Sequence, residues 1–472
     1  MATDRPERLS VPAAVHSRLG APPLGARIAA GGALAVTGAT VVVLAVLTAQ
    51  NLVYFVGAIV TATLGISALW IAATNHRFRW WTTTVGVVLV VGTVVILVGD
   101  GRGIVAVAIA IFGIAAAWSL GTVALRWEVR RVLDTRWHPV PGTRHGVIFM
   151  NPRSGSGKVT KLNLADESRR RGIEPVLLQR QDDLRLLAEA AVNRGADALG
   201  MAGGDGSQAV VAAVAAAYGL PFVCVPAGTR NHFALDIGID RNDPVRALDA
   251  FGPARETTVD LGEVNGEVFV NNVSLGVYAS IVATTGYREA KRRTVAEMLP
   301  DLLGPDAPPT ELTVDGPDGP IVGAQVIQVS NNPYTLSSLS GFGSRPRVNM
   351  GTLGVATLSI ERPIDVNRLV ALELAGHPEH YEGWRQWTAR ELEVRGTHPV
   401  AAAVDGEARS WVTPLHFTIH PAALRVRIGR GQSGASPAFQ WTPLKVSTLL
   451  GLSRIVRGRP SGIVAAEPGG GT

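Results

Sequence analysis

The sequence predicts a three-part chain: four apolar helices, then a parallel α/β domain, then a β-rich domain. Three observations carry that prediction. Between Arg27 and Arg77 lie 49 residues without Asp, Glu, Lys or Arg, and two further uncharged runs follow. Between 145 and 234, a short apolar run leads into a loop of small residues and then a helical stretch in repeated units. Beyond 256 the pattern changes to short Val/Ile/Leu runs, at 268–273, 324–329, 353–360 and 414–419, separated by Gly, Pro and Asp. At 472 residues the chain is long enough for two or three domains.

Composition narrows the class. Hydrophobic residues make up 47% and charged residues 17%, against about 25% charged in an ordinary soluble domain. That excludes a disordered chain and argues against one that is soluble throughout. The single cysteine, Cys224, excludes an internal disulfide and a cysteine-rich metal site. It lies in an apolar strand and reads as an inert buried thiol. The net charge is +6, and the first 125 residues hold seven Arg against three acids. The remainder is nearly neutral and carries no run of Lys/Arg with interleaved aromatics, so nucleic acid is not an expected partner.

A spanning helix needs about 20 apolar residues. After a basic tail at 1–27, spans are expected near 28–48, 52–73, 80–99 and 103–125, making 28–125 a four-helix transmembrane region in the lipid bilayer. Basic residues gather in the tail, in the second link (Arg77, Arg79) and at the exit (Arg126, Arg130, Arg131). By the positive-inside rule both termini face the cytoplasm. The expectation is a multi-pass cell-membrane protein with its remaining domains in the cytoplasm. No ionisable residue lies within a span, so the region reads as an anchor rather than an ion path. Its small residues leave a homo-oligomer possible.

Residues 126–143 read as a basic, Pro-containing linker. The strand His145–Met150 then runs into Asn151-Pro152-Arg153-Ser154-Gly155-Ser156-Gly157-Lys158. A glycine-rich turn between strand and helix lets backbone N–H groups approach an oxyanion, because no Cβ intervenes. It is not a Walker A loop: Pro152 replaces the first Gly and Val159 follows the Lys. Taken alone, a plain flexible loop accounts for it equally well. A strand at 174–178 and a helix near 182–194 follow. The strand Ala198–Ala202 enters Gly203-Gly204-Asp205-Gly206-Ser207 and an Ala-rich helix at 208–218. The strand Phe222–Val225 ends in Pro226-Ala227-Gly228-Thr229-Arg230-Asn231-His232-Phe233-Ala234. Three such units predict a parallel sheet whose loops meet in one crevice at the strand C-terminal ends.

At these loops the sequence resembles the diacylglycerol kinase-like lipid kinases, which include the soluble bacterial diacylglycerol kinases and the sphingosine kinases. The resemblance covers roughly 144–430. It continues through Asn271-Asn272-Val273-Ser274-Leu275-Gly276, the Asp-Gly-Glu of Val404-Asp405-Gly406-Glu407, and the closing strand Ala423-Leu424-Arg425-Val426. It implies an α/β nucleotide-binding domain (144–255) and a β-sandwich lipid-substrate domain (256–430); the C-terminal extension that follows (431–472) is rich in Gly and Pro from 458 and reads as disordered there. It also implies ATP and Mg²⁺ as cofactors and a lipid substrate in the membrane, diacylglycerol by default. By the same resemblance Asn151, Ser154 and Gly155 lie near the phosphates. Gly203, Gly204, Asp205, Gly206 and Ser207 wrap the nucleotide, with Asp205 facing the phosphates or the metal. Gly228, Thr229 and Asn231 bind from the third loop, and Asp405 with Glu407 forms the catalytic group, Asp405 as general base. By itself Asp405-Gly406 reads first as a hairpin turn, which Asp-Gly strongly favours; with the three upstream loops in place the catalytic reading leads, and the residue can do both.

Several positions depart from the family pattern. His232 stands where the family usually has Asp, and reads either as a phosphate or headgroup contact or as a packed histidine at a helix start. Ser207-Gln208-Ala209 replaces Thr-Leu-Asn, and Gln179 replaces a hydroxyl residue. Asn349-Met350-Gly351-Thr352-Leu353-Gly354 replaces an Asp-rich turn that holds a structural Mg²⁺, so no second metal is expected. Two alternatives stay open beside diacylglycerol: a kinase of another lipid alcohol, such as a sphingoid base or glycolipid, and a membrane-tethered nucleotide or lipid sensor without catalysis.

Overall fold

The structure, a computed structural model, describes residues 21–50, 52–74, 79–99, 102–276, 312–334, 345–359, 381–436 and 446–461. The chain forms two units: Met1–Val132 with Thr442–Thr472, and Leu133–Trp441.

The first unit contains α1 (Leu24–Gln50), α2 (Leu52–Thr74), α3 (Arg79–Gly99) and the start of α4 (Arg102–Arg136). They coincide with the four expected apolar runs. Among the described residues, two stretches, Leu24–Leu47 and Val105–Glu128, are long and apolar enough to cross a membrane. In α2 and α3 the stretches whose side chains are described, Ile59–Ala68 and Thr83–Thr93, are apolar as well. The described residues thus bear out four apolar helices at the expected places, with two candidate membrane spans among them. In the C-terminal extension a helix, Val446–Val456, seats Leu452 and Ile455 against Ala26, Ala29, Ala30 and Ala33 of α1 and Ala124 and Leu125 of α4. The alanines allow this close approach because they present no more than a methyl group. Residues 1–20 of the basic tail and 462–472 of the C-terminal tail lie outside the described residues.

In the stretch read as a linker, α4 continues to Arg136. Trp137 is buried, its indole N–H donating to Gly434 O at 2.9 Å. The second unit then begins with β1 (His138–Val140), followed by β2 (Gly146–Met150), β3 (Glu174–Leu177), α5 (Leu184–Asn193), β4 (Ala198–Gly203), α6 (Asp205–Ala217) and β5 (Pro221–Pro226). β2 pairs in parallel with β3 and β4, and β4 with β5. All residues of β2, β4 and β5 are buried, which is why they read as unbroken apolar runs. α5 starts at Asp183, whose carboxylate accepts from the N–H of Arg185 and Leu186.

The later strands are β6 (Ala254–Val264), β7 (Glu267–Phe269), β8 (Asn272–Gly276), β9 (Thr313–Gly316), β10 (Gly319–Val322), β11 (Val326–Asn331), β12 (Leu353–Leu358), β13 (Trp384–Ala389), β14 (Glu391–Arg395), β15 (Val400–Val404), β16 (Glu407–Trp411) and β17 (Leu415–Gly429). Among the described residues β13-β12-β11-β8-β15-β16 form one antiparallel sheet. It faces the β6, β7, β9, β14 and β17 part of the first sheet across a shared core including Phe269, Leu275, Ile327, Val329, Val355, Val394 and Phe417. Phe269 meets Phe417 edge-on at 6.4 Å. This is the expected sandwich.

The two parts share a sheet, which the boundary at 255/256 did not foresee. The first half of β17 pairs with β14. Its second half, Arg425–Arg427, pairs in parallel with β5, and β6 follows its whole length. A register shift between His420 and Leu424 makes the exchange, with Ala422 at φ +52°.

Candidate functional site

The loops after β2, β4 and β5 lie side by side because those strands are neighbours, and their packing explains the glycines. Gly155 has φ +53°, and a Cβ there would collide with the carbonyls of Ala227 and Gly228. A Cβ on Gly228 would lie 2.8 Å from Asn231 Oδ1 and 3.0 Å from Gly204 N. The three loops therefore touch backbone to backbone. Asn151 shapes the first loop, its Oδ1 accepting from Arg153 N at 3.1 Å. Asn231, at φ +53° and 3% exposed, shapes the third. Its Oδ1 accepts from Gly228 N at 2.9 Å and its Nδ2 donates to Gly228 O at 2.9 Å.

Asp205 opens α6, yet its carboxylate serves a different helix. Its two oxygens accept from the N–H groups of His232 (3.1 Å) and Phe233 (3.2 Å), at the start of the short helix His232–Asp236. His232 is half-buried beside it. Burial holds its imidazole below the usual range; Asp205 opposes that, while Arg230, Arg241 and Arg345 add to it. The ring is therefore neutral near pH 7.

Asp405 (φ +48°) and Gly406 (φ +84°) form the two-residue turn between β15 and β16. Positive φ at both central positions is the hairpin geometry that Asp-Gly favours. The turn also aims a carboxylate. Asp405 Oδ2 accepts from Val270 N at 2.9 Å, and Oδ1 from Asn271 N at 2.8 Å and Asn272 N at 3.1 Å. Burial raises its pKa to about 7, the Asp205 charge pushes the same way, and the three N–H groups oppose them. Glu407 lies against Gly206, where a Cβ would collide with its carboxylate, and pairs with Arg409 at 3.2 Å.

These pieces line one open cleft of about 580 Å³. Of the residues expected at the site, it brings together Asn151, Ser154, Gly155, Gly204, Asp205, Gly206, Ser207, Thr229, Asp405 and Glu407. Gly203, Gly228 and Asn231 do not line it; they fix the loops that do. The cleft also takes in Arg153, Arg230, His232, Asn271, Asn272 and Ser274. The sequence reading gave no role to Arg153, Arg230, Asn271, Asn272 or Ser274. Arg153 and Arg230 lie inside the quoted loops, so cations flanking glycine turns were the available signal. Gln208, taken only as a departure, is 1% exposed, and its Nε2 donates to Met201 O (2.9 Å) and Val225 O (3.0 Å). It fastens β4 to β5 at the loop ends.

The cleft suits a nucleotide phosphate chain: glycine backbone on one wall, two guanidinium-bearing residues, and no Cβ at Gly155 or Gly204. A metal held by protein ligands fits less well. Among the described residues no group of three or more His, Cys, Asp or Glu could hold a cation, and both Asp205 oxygens already accept N–H bonds. The turn at Asn349–Gly354 is tied by hydrogen bonds: Asp260 accepts from Gly351 N at 2.6 Å and Asn332 Oδ1 from Met350 N at 2.6 Å.

Residues 145–264 match the family model of the diacylglycerol kinase catalytic domain. The resemblance read from the loops is borne out over that segment. A diacylglycerol kinase of Mycobacterium tuberculosis is 32% identical over 178 residues, 35% of this chain and 58% of its own. A diacylglycerol kinase of Bacillus subtilis is 37% identical over 86 residues, 18% of this chain and 28% of its own. A probable lipid kinase YegS-like protein of Pseudomonas fluorescens is 36% identical over 106 residues, 22% and 34% of the two chains. The chain thus spans a little over half the length of the first of these relatives.

Proposed function

We propose that the chain is an ATP-dependent lipid kinase that transfers the γ-phosphoryl group to a lipid hydroxyl, with diacylglycerol the first acceptor to test. One observation carries the reading. The cleft joins three glycine loops shaped for phosphates to a carboxylate held at a pKa of about 7. Phosphoryl transfer asks for positioning, charge compensation and a proton acceptor near the nucleophile. Asp405 takes the hydroxyl proton as the new O–P bond forms, and the bond to ADP breaks. Each Asp405 oxygen has more than one lone pair, so the N–H bonds leave room for that proton on Oδ2. Magnesium would enter as part of the nucleotide substrate and would offset phosphate charge there, with Asp205 the loop carboxylate lining that part of the cleft. Arg153 and Arg230 offset phosphate charge.

The apolar helices support a membrane anchor beside the lipid substrate. Reporters fused at the N-terminus and after Arg131 both read cytoplasmic in this account, and an external signal at either place contradicts it. The acceptor is tested with the purified full chain in vesicles carrying diacylglycerol, a sphingoid base or a glycolipid, with Mg·ATP. Phosphatidate from the first vesicles alone establishes the default acceptor. A phosphorylated product from another vesicle moves the assignment. Nucleotide binding without any product favours the sensor.

A further inference from the structure

Asp205 and Asp405 are each held by backbone N–H groups of other elements, and a buried ion pair joins those elements. Asp205 holds the first turn of the short helix His232–Asp236. At its far end Asp236, 4% exposed, accepts from Arg345 through the backbone N (3.1 Å) and Nε (2.6 Å). Arg345 is 0% exposed. Its Nη1 donates to the carbonyls of Val270 (2.6 Å) and Asn331 (2.7 Å), and its Nη2 to Asn271 Oδ1 (2.8 Å). Val270 and Asn271 supply two of the three N–H groups that hold Asp405.

We propose that Arg345, paired with Asp236, is a positioning residue that sets the N–H cradle of Asp405 and ties it to the helix start held by Asp205. The inference rests on the kinase reading and adds a residue that touches neither substrate. A buried ion pair is weak evidence for stability, since apolar replacements are often neutral or better. What this pair supplies is direction. A guanidinium has a rigid fork of donors, here spread over two backbone carbonyls, a side-chain amide and a carboxylate. A lysine keeps the charge and cannot span that set.

Arg345→Lys therefore isolates geometry from charge. Among the described residues the charged and titratable groups around Asp405 are, besides residue 345 itself, Asp205 across the cleft, His232 beside Asp205, Glu407 on its own hairpin, and Tyr334 and Asp236 next to residue 345. The substitution leaves all of them in place. N–H bonds to a carboxylate favour its ionised form, so a loosened cradle raises the pKa of Asp405. The acid limb of kcat against pH is expected to move up by about half a unit or more. At pH 7 kcat falls by about twofold or more, recovering at higher pH, while KM for ATP stays within about twofold. A merely structural role lowers the melting temperature and leaves the acid limb where it was.

The same shift is read without turnover. Infrared carboxyl titration of each full-length protein against its Asp405→Asn counterpart reports the Asp405 pKa even if no lipid is phosphorylated, so failure of the kinase reading stays distinct. An unmoved titration in folded Arg345→Lys overturns the proposal. If that variant does not fold, Tyr334→Leu read against Tyr334→Phe takes away the ring lying 5.3 Å from the guanidinium, the buried hydroxyl beside Asn272 being absent from both. A smaller shift in the same direction supports the proposal, and none overturns it.

Discussion

The two walls of the cleft are built differently. On one side, three loops within about 85 residues of chain present backbone, and their side chains mostly serve their own loops. Asn151 and Asn231 bond to neighbours two and three residues away. On the other side a single carboxylate matters, and everything that holds it is distant. Asp405 lies 135 residues from Val270, and Arg345 reaches across 109 residues to Asp236. The first wall is a local conformational device. The second is a tertiary assembly whose parts mean little apart.

The comparison breaks most sharply at Asp405. Asp405→Asn keeps the turn and removes the proton acceptor. General-base catalysis is worth about 10²- to 10⁴-fold, so kcat falls by that order while nucleotide affinity, measured by titration, hardly moves. Equal loss of affinity would mean that the two walls are not separable. Next comes Gly228→Ala, which drives a methyl into Gly204 and Asn231. Overpacking of this kind costs about 1–3 kcal/mol. Calorimetry should show that destabilisation together with lost nucleotide binding, the inverse of the Asp405 result.

Asn231→Ala leaves the N–H and carbonyl of Gly228 without their buried partner, at about 1–3 kcal/mol, and places alanine at a left-handed position. Its melting temperature drops, and nucleotide affinity falls less than in Gly228→Ala. The pH dependence sharpens the second wall. Because the folded pKa of Asp405 is raised to about 7, the carboxyl is protonated and useless as a base below that value. The rate should halve near pH 7 and decline further in acid. His232, held low, should add no step above neutrality. The smallest effect is Arg153→Ala, with nucleotide affinity reduced by less than about tenfold, a loss that shrinks as salt rises.

The same contrast decides what the sequence made legible. Strands, helices and the three loops were readable because glycine turns and apolar periods are local signals. That Asp205 would fasten the His232–Asp236 helix was not readable, because its partners lie 27 and 28 residues on and a Gly-Gly-Asp-Gly string fits a ligand contact as well. The strand exchange in β17 was hidden for a related reason. Ala422 gives no hint of a left-handed residue, so the shared sheet looked like a domain boundary. Arg345 has no motif at all. Its importance comes from full burial and four hydrogen-bond partners among the described residues, properties of packing alone.

If the two walls together move a phosphoryl group to lipid, the full-length chain supplied with ATP labelled in its γ-phosphoryl group and a total lipid extract transfers the label, and resolving the lipids shows it. Label is expected in one lipid class with wild type, with a loss of about 10²-fold or more with Asp405→Asn. No labelled lipid from wild-type protein that binds Mg·ATP, or undiminished labelling by Asp405→Asn, would contradict it.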